Sequence, residues 1–211
     1  RVLDDPLSER FDVVLFTHQG SSSILEGSAS RSTPEPYRLG LGEEGLAALE
    51  DFVEDGGRVV ALGSATELFM EHWPIPVKNA AAALTSDEFL IPGSIVNLQA
   101  DVSHHLAWGM KANTHGFFSR NPFFDVGVSF PSQAVSVAVR YPNENLRASG
   151  WLRGAEHLAG KAAAVEVGYP ALDERGNDGS LVLLGIRPQH RAQTHATFKL
   201  LFNALVNGGG R

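Results

Sequence analysis

The 211-residue chain contains no cysteine, and this absence excludes several classes of protein. A disulfide scaffold, a cysteine-ligated zinc finger and a thiol nucleophile all require the missing side chain. The absence does not fix the compartment, because a protein without thiols suits an oxidising or a reducing one equally well.

Basic side chains are also scarce, since 17 Lys and Arg stand against 24 Asp and Glu and leave a formal net charge of -7. This balance, together with the lack of any long Lys/Arg run, argues against a nucleic-acid partner. No apolar stretch approaches the roughly 20 residues that a membrane-spanning helix needs. With 43% hydrophobic and 19% charged residues, the composition is that of one sizeable globular domain.

The first third of the chain alternates strands and helices, which is typical of a doubly wound α/β fold. Apolar runs at residues 11–16 and 58–62 predict strands buried on both faces. Apolar residues at helical spacing predict helices over residues 43–55 and 67–72. The segment 21–36 is rich in Ser, Pro and Gly and is predicted to be a long surface loop.

The middle of the chain changes character, because apolar and polar residues alternate at 94–100 and 134–141. This alternation predicts half-exposed, antiparallel strands. Two further apolar strands are predicted at 162–167 and 181–186, joined by a hairpin. An amphipathic helix should close the chain. Its predicted buried face and its end are formed by Phe198, Leu201, Phe202, Leu205 and Val206, and by Gly208.

Neither a dinucleotide nor a metal is expected from the motifs present. Residues 40–45 match G-x-G-x-x-G, but no strand leads into them and two glutamates would face the pyrophosphate. The eight histidines form no H-x-x-E or H-E-x-x-H pair. His104 and His105 are adjacent and are predicted to point apart, so no metal site is expected.

Ser64 lies at a predicted strand-to-helix turn, where a nucleophile can be exposed. The G-x-S-x-G elbow is incomplete because Thr66 replaces its last glycine. A serine in such a turn more often caps the next helix, and this is the interpretation that we favour. A hydrolase that pairs Ser64 with His190 is the alternative.

Residues 187–195 concentrate polar side chains directly after the last apolar strand. In open α/β sheets the ligand crevice lies beyond the carboxyl ends of the strands. Two interpretations stay open: a polar network that ties the last helix to neighbouring loops, or a site for an anion or a carbohydrate. Trp108, Phe117 and Phe118 are candidates for a stacking wall. The candidate ligand-binding residues are His18, Gln19, Ser64, Arg187, Gln189, His190, Arg191 and His195.

Four segments, residues 11–20, 57–66, 101–110 and 185–205, together resemble a class I glutamine amidotransferase-like domain. More narrowly, the chain resembles the version found at the C-terminus of large bacterial proteins whose N-terminal part is a carboxypeptidase A-like zinc peptidase. Residues 187–203 are the most specific element. A weaker similarity, through residues 60–66 and 101–110, is to the trehalose-utilisation-type proteins.

The resemblance implies an α/β, flavodoxin-like three-layer sandwich formed by residues 1–211 as a single domain, with a β-rich insertion at about 90–170. It also implies that the usual first strand, helix and strand are lacking, so the sheet should have an open edge. That edge makes a homodimer a further expectation. Export to the periplasm or the extracellular space is implied by the resemblance alone.

The catalytic residues of the amidotransferases do not carry over to this chain. Their nucleophilic cysteine aligns with Gly63 or Ser64, their histidine aligns with His190, and the glutamate two positions later is Ala192. The leading hypothesis is therefore a non-catalytic accessory domain that packs on its own N-terminal peptidase domain or binds part of the substrate. Zinc would belong to that peptidase domain, and this chain would need no cofactor. A small-molecule or carbohydrate-binding module of the trehalose-utilisation type is the alternative.

Overall fold

The computed structural model describes residues 6–171 and 176–206. Ten strands are formed by Val13–Phe16 (β1), Arg58–Leu62 (β2), Val77–Asn79 (β3), Ser94–Ala100 (β4), Asn113–Phe118 (β5), Phe124–Val126 (β6), Ala134–Arg140 (β7), Arg147–Ser149 (β8), Ala162–Tyr169 (β9) and Gly179–Leu184 (β10). The α-helices are Ser21–Leu25 (α1), Gly42–Glu54 (α2), Thr66–His72 (α3), Ala155–Leu158 (α4) and Phe198–Val206 (α5). None of these helices has the length and apolar character that crossing a bilayer requires.

One mixed sheet organises the described residues, in the order β1-β2-β10-β9-β7-β4-β5. The strands β1, β2 and β10 are parallel to one another, whereas β9, β7, β4 and β5 join by antiparallel pairing. The predicted antiparallel strands at 94–100 and 134–141 are thus confirmed. The segment at about 90–170 supplies β4 to β9, which continue the same sheet.

Helices cover both faces of the parallel strands because successive side chains of a strand point to opposite faces. Val59 and Ala61 of β2 lie in the apolar cluster of α2 and α3. Val60 and Leu62 of the same strand lie in the apolar cluster of α5. The predicted α/β class and the three-layer arrangement are therefore confirmed, with α2 and α3 on one side of the sheet and α5 on the other.

β1 forms an edge of the sheet, and in the described part of the chain it pairs with β2 alone. The open edge agrees with the expectation. Burial on both faces, predicted for the same apolar run, is wrong, because Leu15 is 40% exposed. An apolar run shows that a strand is favourable but cannot show how many neighbours will cover it.

The predicted surface loop at 21–36 contains a short helix, α1, so this prediction is wrong for its first residues. Ile24 and Leu25 pack against the apolar cluster of α2 and α3. The carbonyl of Ile24 also accepts a hydrogen bond from the Leu41 amide. Burial of these two side chains stabilises a helical turn that the Ser-rich composition does not favour.

The last helix is present, but its predicted buried face is only partly right. Leu200, Leu201 and Ala204 face the core, whereas Phe202 and Val206 are 57% and 74% exposed. This helix carries apolar residues on most sides, so periodicity alone could not select the side that packs on the sheet. The predicted end at Gly208 lies outside the described residues.

Candidate functional site

The turn after β2 has a backbone conformation that only glycine adopts without strain. Gly63 opens a single 3₁₀ turn, Gly63–Ala65, with a φ of 54°. A Cβ atom built at this position would overlap Nδ1 of His18. The strand-to-helix turn therefore has no room for a side chain at Gly63, and the His18 imidazole fills that space.

His18 follows β1 and bridges the neighbouring strand ends. Its Nδ1 accepts a hydrogen bond from the backbone N–H of Ser64 at 3.0 Å. A nitrogen that accepts is unprotonated, so the neutral ring carries its proton on Nε2. Burial, followed by the nearby Arg187 and His190, lowers the pKa of His18 below its usual value. The ring is therefore neutral at pH 7 and presents one N–H donor.

The predicted capping role of Ser64 is wrong. The N-terminus of α3 has no side-chain cap. The Thr66 hydroxyl instead donates to the Gly63 carbonyl at 2.7 Å and so braces the turn. In the described part of the chain, no hydrogen bond joins the Ser64 hydroxyl to His190, and no base activates it.

Arg187 and His190 form the opposite wall of the crevice. One Nη of Arg187 donates to the Ser119 carbonyl at 3.1 Å, while its Nε is buried and finds no partner among the described residues. The His190 ring stacks on Phe117 with centroids 4.3 Å apart and planes 9° apart. Burial, followed by Arg187 and Arg191, lowers the pKa of His190. The wall therefore combines the stacked His190–Phe117 pair with the Arg187 guanidinium, and the exposed Arg191 follows His190 along the chain.

The structure brings together four of the residues selected from the sequence: His18, Ser64, Arg187 and His190. The others lie differently. Gln19, Gln189 and Arg191 are exposed, and His195 packs on Phe198 at 5.3 Å.

Of the predicted stacking wall, only Phe117 lies at the crevice. Phe118 is buried in the core. Trp108 lies against His105, away from the crevice, with ring centroids 6.4 Å apart. The wall predicted from three aromatic side chains is therefore a single ring covered by His190.

A second polar cluster, which we call the His-Glu cluster, is formed by His104, His105 and Glu166. Nε2 of His105 and Nε2 of His104 lie 3.2 Å and 3.8 Å from Oε2 of Glu166. The two rings stack at 4.7 Å, so the prediction that they point apart is wrong. They lie at the start of a 3₁₀ turn rather than on a regular helix or strand, which allows neighbouring side chains to share one side.

The three ligand-type atoms of the His-Glu cluster lie within 4.8 Å of one another. Two contacts nevertheless favour an ionic network over a metal centre. Nδ1 of His104 accepts from the Leu106 amide at 3.2 Å, which places the proton of the neutral ring on the Nε2 that a metal would need. The other Glu166 oxygen, Oε1, is held by Arg58 at 2.9 Å.

The sequence analysis missed the His-Glu cluster, although a signal for it is present. Glu166 interrupts the apolar strand β9, and Arg58 begins the apolar strand β2. Charged residues inside buried strands rarely stay unpaired, so an ion pair between these two side chains, across the intervening strand β10, could have been predicted.

Comparison with known proteins finds similarity only to solved structures. No protein-family model matches the chain, and no curated protein matches it either. A structure described as a GMP synthase subunit from Thermoplasma acidophilum aligns at 8% identity and a TM-score of 0.48, over 93% of this chain and 72% of that one. A structure described as a ThuA-like protein from Bacteroides uniformis aligns at 12% identity and a TM-score of 0.44, over 93% and 69%. With TM-scores this low, neither likeness bears on the residues of the crevice.

Proposed function

We propose that this chain is a non-catalytic binding domain whose crevice holds a small anionic molecule. The observation that carries the proposal is the clustering of cationic and neutral donor groups without a carboxylate. Burial, followed by Arg187 and His190, lowers the pKa of His18. Burial, followed by Arg187 and Arg191, lowers the pKa of His190, and no acidic group is among the causes of either shift. Such a crevice attracts a carboxylate or phosphate and offers it hydrogen-bond donors.

The free Nε of Arg187 supports an anionic ligand. A buried donor without a partner costs free energy, and a bound anion would satisfy it. The guanidinium is already oriented by its bond to the Ser119 carbonyl, so little side-chain entropy would be lost on binding.

The elbow supports a binding role rather than catalysis. Covalent acyl transfer needs a nucleophile, a base within hydrogen-bond reach and a group that orients the base. Gly63 offers no side chain, Nδ1 of His18 is used by the Ser64 amide, and the His190 ring lies flat on Phe117. The Ser64/His190 hydrolase therefore has no geometric support.

Calorimetric titration with gluconate and with sorbitol tests the proposal, because both probes are open hydroxylated chains and only gluconate carries a carboxylate. We expect gluconate to bind and Arg187→Met to weaken binding about tenfold or more, since a charged hydrogen bond is lost. Because Arg187 also donates to Ser119, the exposed Arg191→Met is a second variant that spares the fold. Arg147→Met, on the exposed strand β8, is the matched control. Equal heats for both probes, or an unchanged affinity in both variants, would contradict an anion site.

The narrower functions suggested by the sequence remain proposals that rest on the resemblance. They are packing on a zinc-peptidase domain of the same protein, with zinc in that domain, export from the cell, and a ligand of the trehalose-utilisation type. A coding sequence upstream that contains H-x-x-E followed by a distant histidine would support the peptidase association, and its absence would defeat it.

A homodimer through the open β1 edge is likewise a proposal, supported by the lack of a second partner strand in the described residues. Light scattering over a concentration series tests it. A constant monomer mass would remove it.

A further inference from the structure

The outward face of β4 and β5 is a polar strip that continues from the crevice. The two strands pair Gln99 with Asn113, Asn97 with His115, and Ile95 with Phe117. Phe117 carries the His190 ring, so the strip begins where the crevice wall ends. From Phe117 to Asn113 it extends for about 14 Å at the usual rise of a strand.

Hydrogen bonds within the strip fix which atoms are offered to solvent. The Asn97 amide nitrogen donates to the Asn145 carbonyl, which identifies the other Asn97 atom as the oxygen. That oxygen lies 2.7 Å from Nδ1 of His115, so Nδ1 carries the proton and donates. With the ring proton on Nδ1, Nε2 is left as an oriented acceptor.

The neighbours of this acceptor supply donors. Gln99 and Asn113 are exposed, and neither side chain has a hydrogen-bond partner among residues 6–171 and 176–206. Each amide offers two N–H donors and one carbonyl acceptor. A groove of about 320 Å³ runs over these side chains, and a second of about 370 Å³ lies between Phe117, Ile95 and Gln193.

This array suits hydroxyl groups, because each hydroxyl donates one hydrogen bond and accepts others. Glu144 borders the far groove and disfavours further negative charge there. We infer that the strip binds a neutral, polyhydroxylated chain whose anionic end lies in the crevice, that is, an oligosaccharide with one terminal acid group. The inference rests on the proposed function, since it assigns that anion to the crevice.

Three probes separate the two ideas: gluconate carries the acid alone, maltose the neutral sugars alone, and maltobionate an acid joined to a sugar ring. We expect maltobionate to bind about tenfold tighter than gluconate, because a few added hydrogen bonds contribute that much. Maltose alone should bind weakly. If gluconate itself fails to bind, the proposed function fails. If gluconate binds and maltobionate binds no more tightly, only the inferred role of the strip is overturned.

Variants test whether the higher affinity for maltobionate arises from the side chains of the strip. His115→Ala should reduce maltobionate to the affinity of gluconate, and His115→Gln, which keeps an acceptor on a side chain, should restore part of the gain. Asn97→Ala should act in the same direction through the lost orientation of His115. Gln133→Ala, an amide outside the strip in the Phe130–Gln133 turn, is the matched control. An equal loss of maltobionate affinity in Gln133→Ala would overturn the assignment to the strip. An affinity for trialanine that exceeds the affinity for acetate by the same factor would overturn the assignment to an oligosaccharide.

Discussion

The imidazole of His18 occupies the space that a side chain at Gly63 would need. The two residues follow the neighbouring parallel strands β1 and β2, and the contact forms at the ends of these strands, where the catalytic turns of α/β enzymes lie. Nδ1 of the same imidazole accepts a hydrogen bond from the backbone N–H of Ser64. The ring therefore both fills the space beside Gly63 and holds the turn that follows it.

Substitution of Gly63 should lower stability in two separable ways, through backbone strain and through overlap with the His18 ring. We expect Gly63→Ala to lower the free energy of unfolding by about 2–3 kcal/mol, because the positive φ strains alanine and its Cβ meets His18. In a His18→Ala background the same substitution should cost only about 1 kcal/mol, since the strain of the positive φ alone remains. Denaturant unfolding of the four proteins in the cycle measures both values. An identical cost in the two backgrounds would show that the ring does not fill this space.

The Arg58–Glu166 pair is buried on both sides, with side chains each 10% exposed. Arg58→Met should lower the free energy of unfolding by about 3–5 kcal/mol, because it leaves a buried carboxylate without its guanidinium partner. Adding Glu166→Gln should recover part of the loss by removing the unpaired charge. The exposed pair of Arg153 and Asp87 provides the control, and Arg153→Met should cost less than about 1 kcal/mol. Similar losses at Arg58 and Arg153 would contradict this.

Stability should fall when the solution is acidified below the ordinary histidine pKa. Burial lowers the pKa of His104, and this effect outweighs the opposing influence of Glu166. The unfolded chain then binds a proton at a higher pH than the folded one, so the contribution of His104 is fully present above about pH 6.5 and declines as the pH falls below it.

His104→Asn tests this pH dependence, because asparagine can keep an acceptor for the Leu106 amide but does not titrate. Unfolding free energies measured between about pH 5 and pH 8, a range that spans the histidine pKa, should drop more for the native protein than for the variant. His18 and His190 have pKa shifts in the same direction and are common to both proteins, so the difference isolates His104. Parallel curves would remove His104 as the titrating group.

The Tyr141 hydroxyl is buried and has no hydrogen-bond partner among the described residues, and its burial raises the pKa of the phenol. Tyr141→Phe should therefore leave stability unchanged or raise it by up to about 1 kcal/mol, since an unsatisfied polar group is removed while the edge contact with Phe118 is kept. Tyr37→Phe, at a side chain 77% exposed, is the matched control and should have no effect. A clear loss at Tyr141 would reveal a partner for its hydroxyl.

From the sequence alone, the α/β class, most strand positions and the lack of a thiol nucleophile could be determined. These features depend on local patterns: apolar runs for β2 and β10, alternation for β4 and β7, and a 3.6-residue period for α2. The structure contains these elements as predicted because residues close together along the chain determine them.

Only the tertiary structure decided which side of α5 is buried, that β1 lies at an edge, and that His18 fills the space beside Gly63. It also joined His104 and His105 to Glu166, a residue about 60 positions away, and paired His115 with Asn97 across two strands. These relationships depend on strand order and on the curl of the sheet, and a pattern read along one chain contains neither. The lack of cysteine was evident from the composition, but the His18 ring beside Gly63 became evident only once β1 and β2 lay side by side.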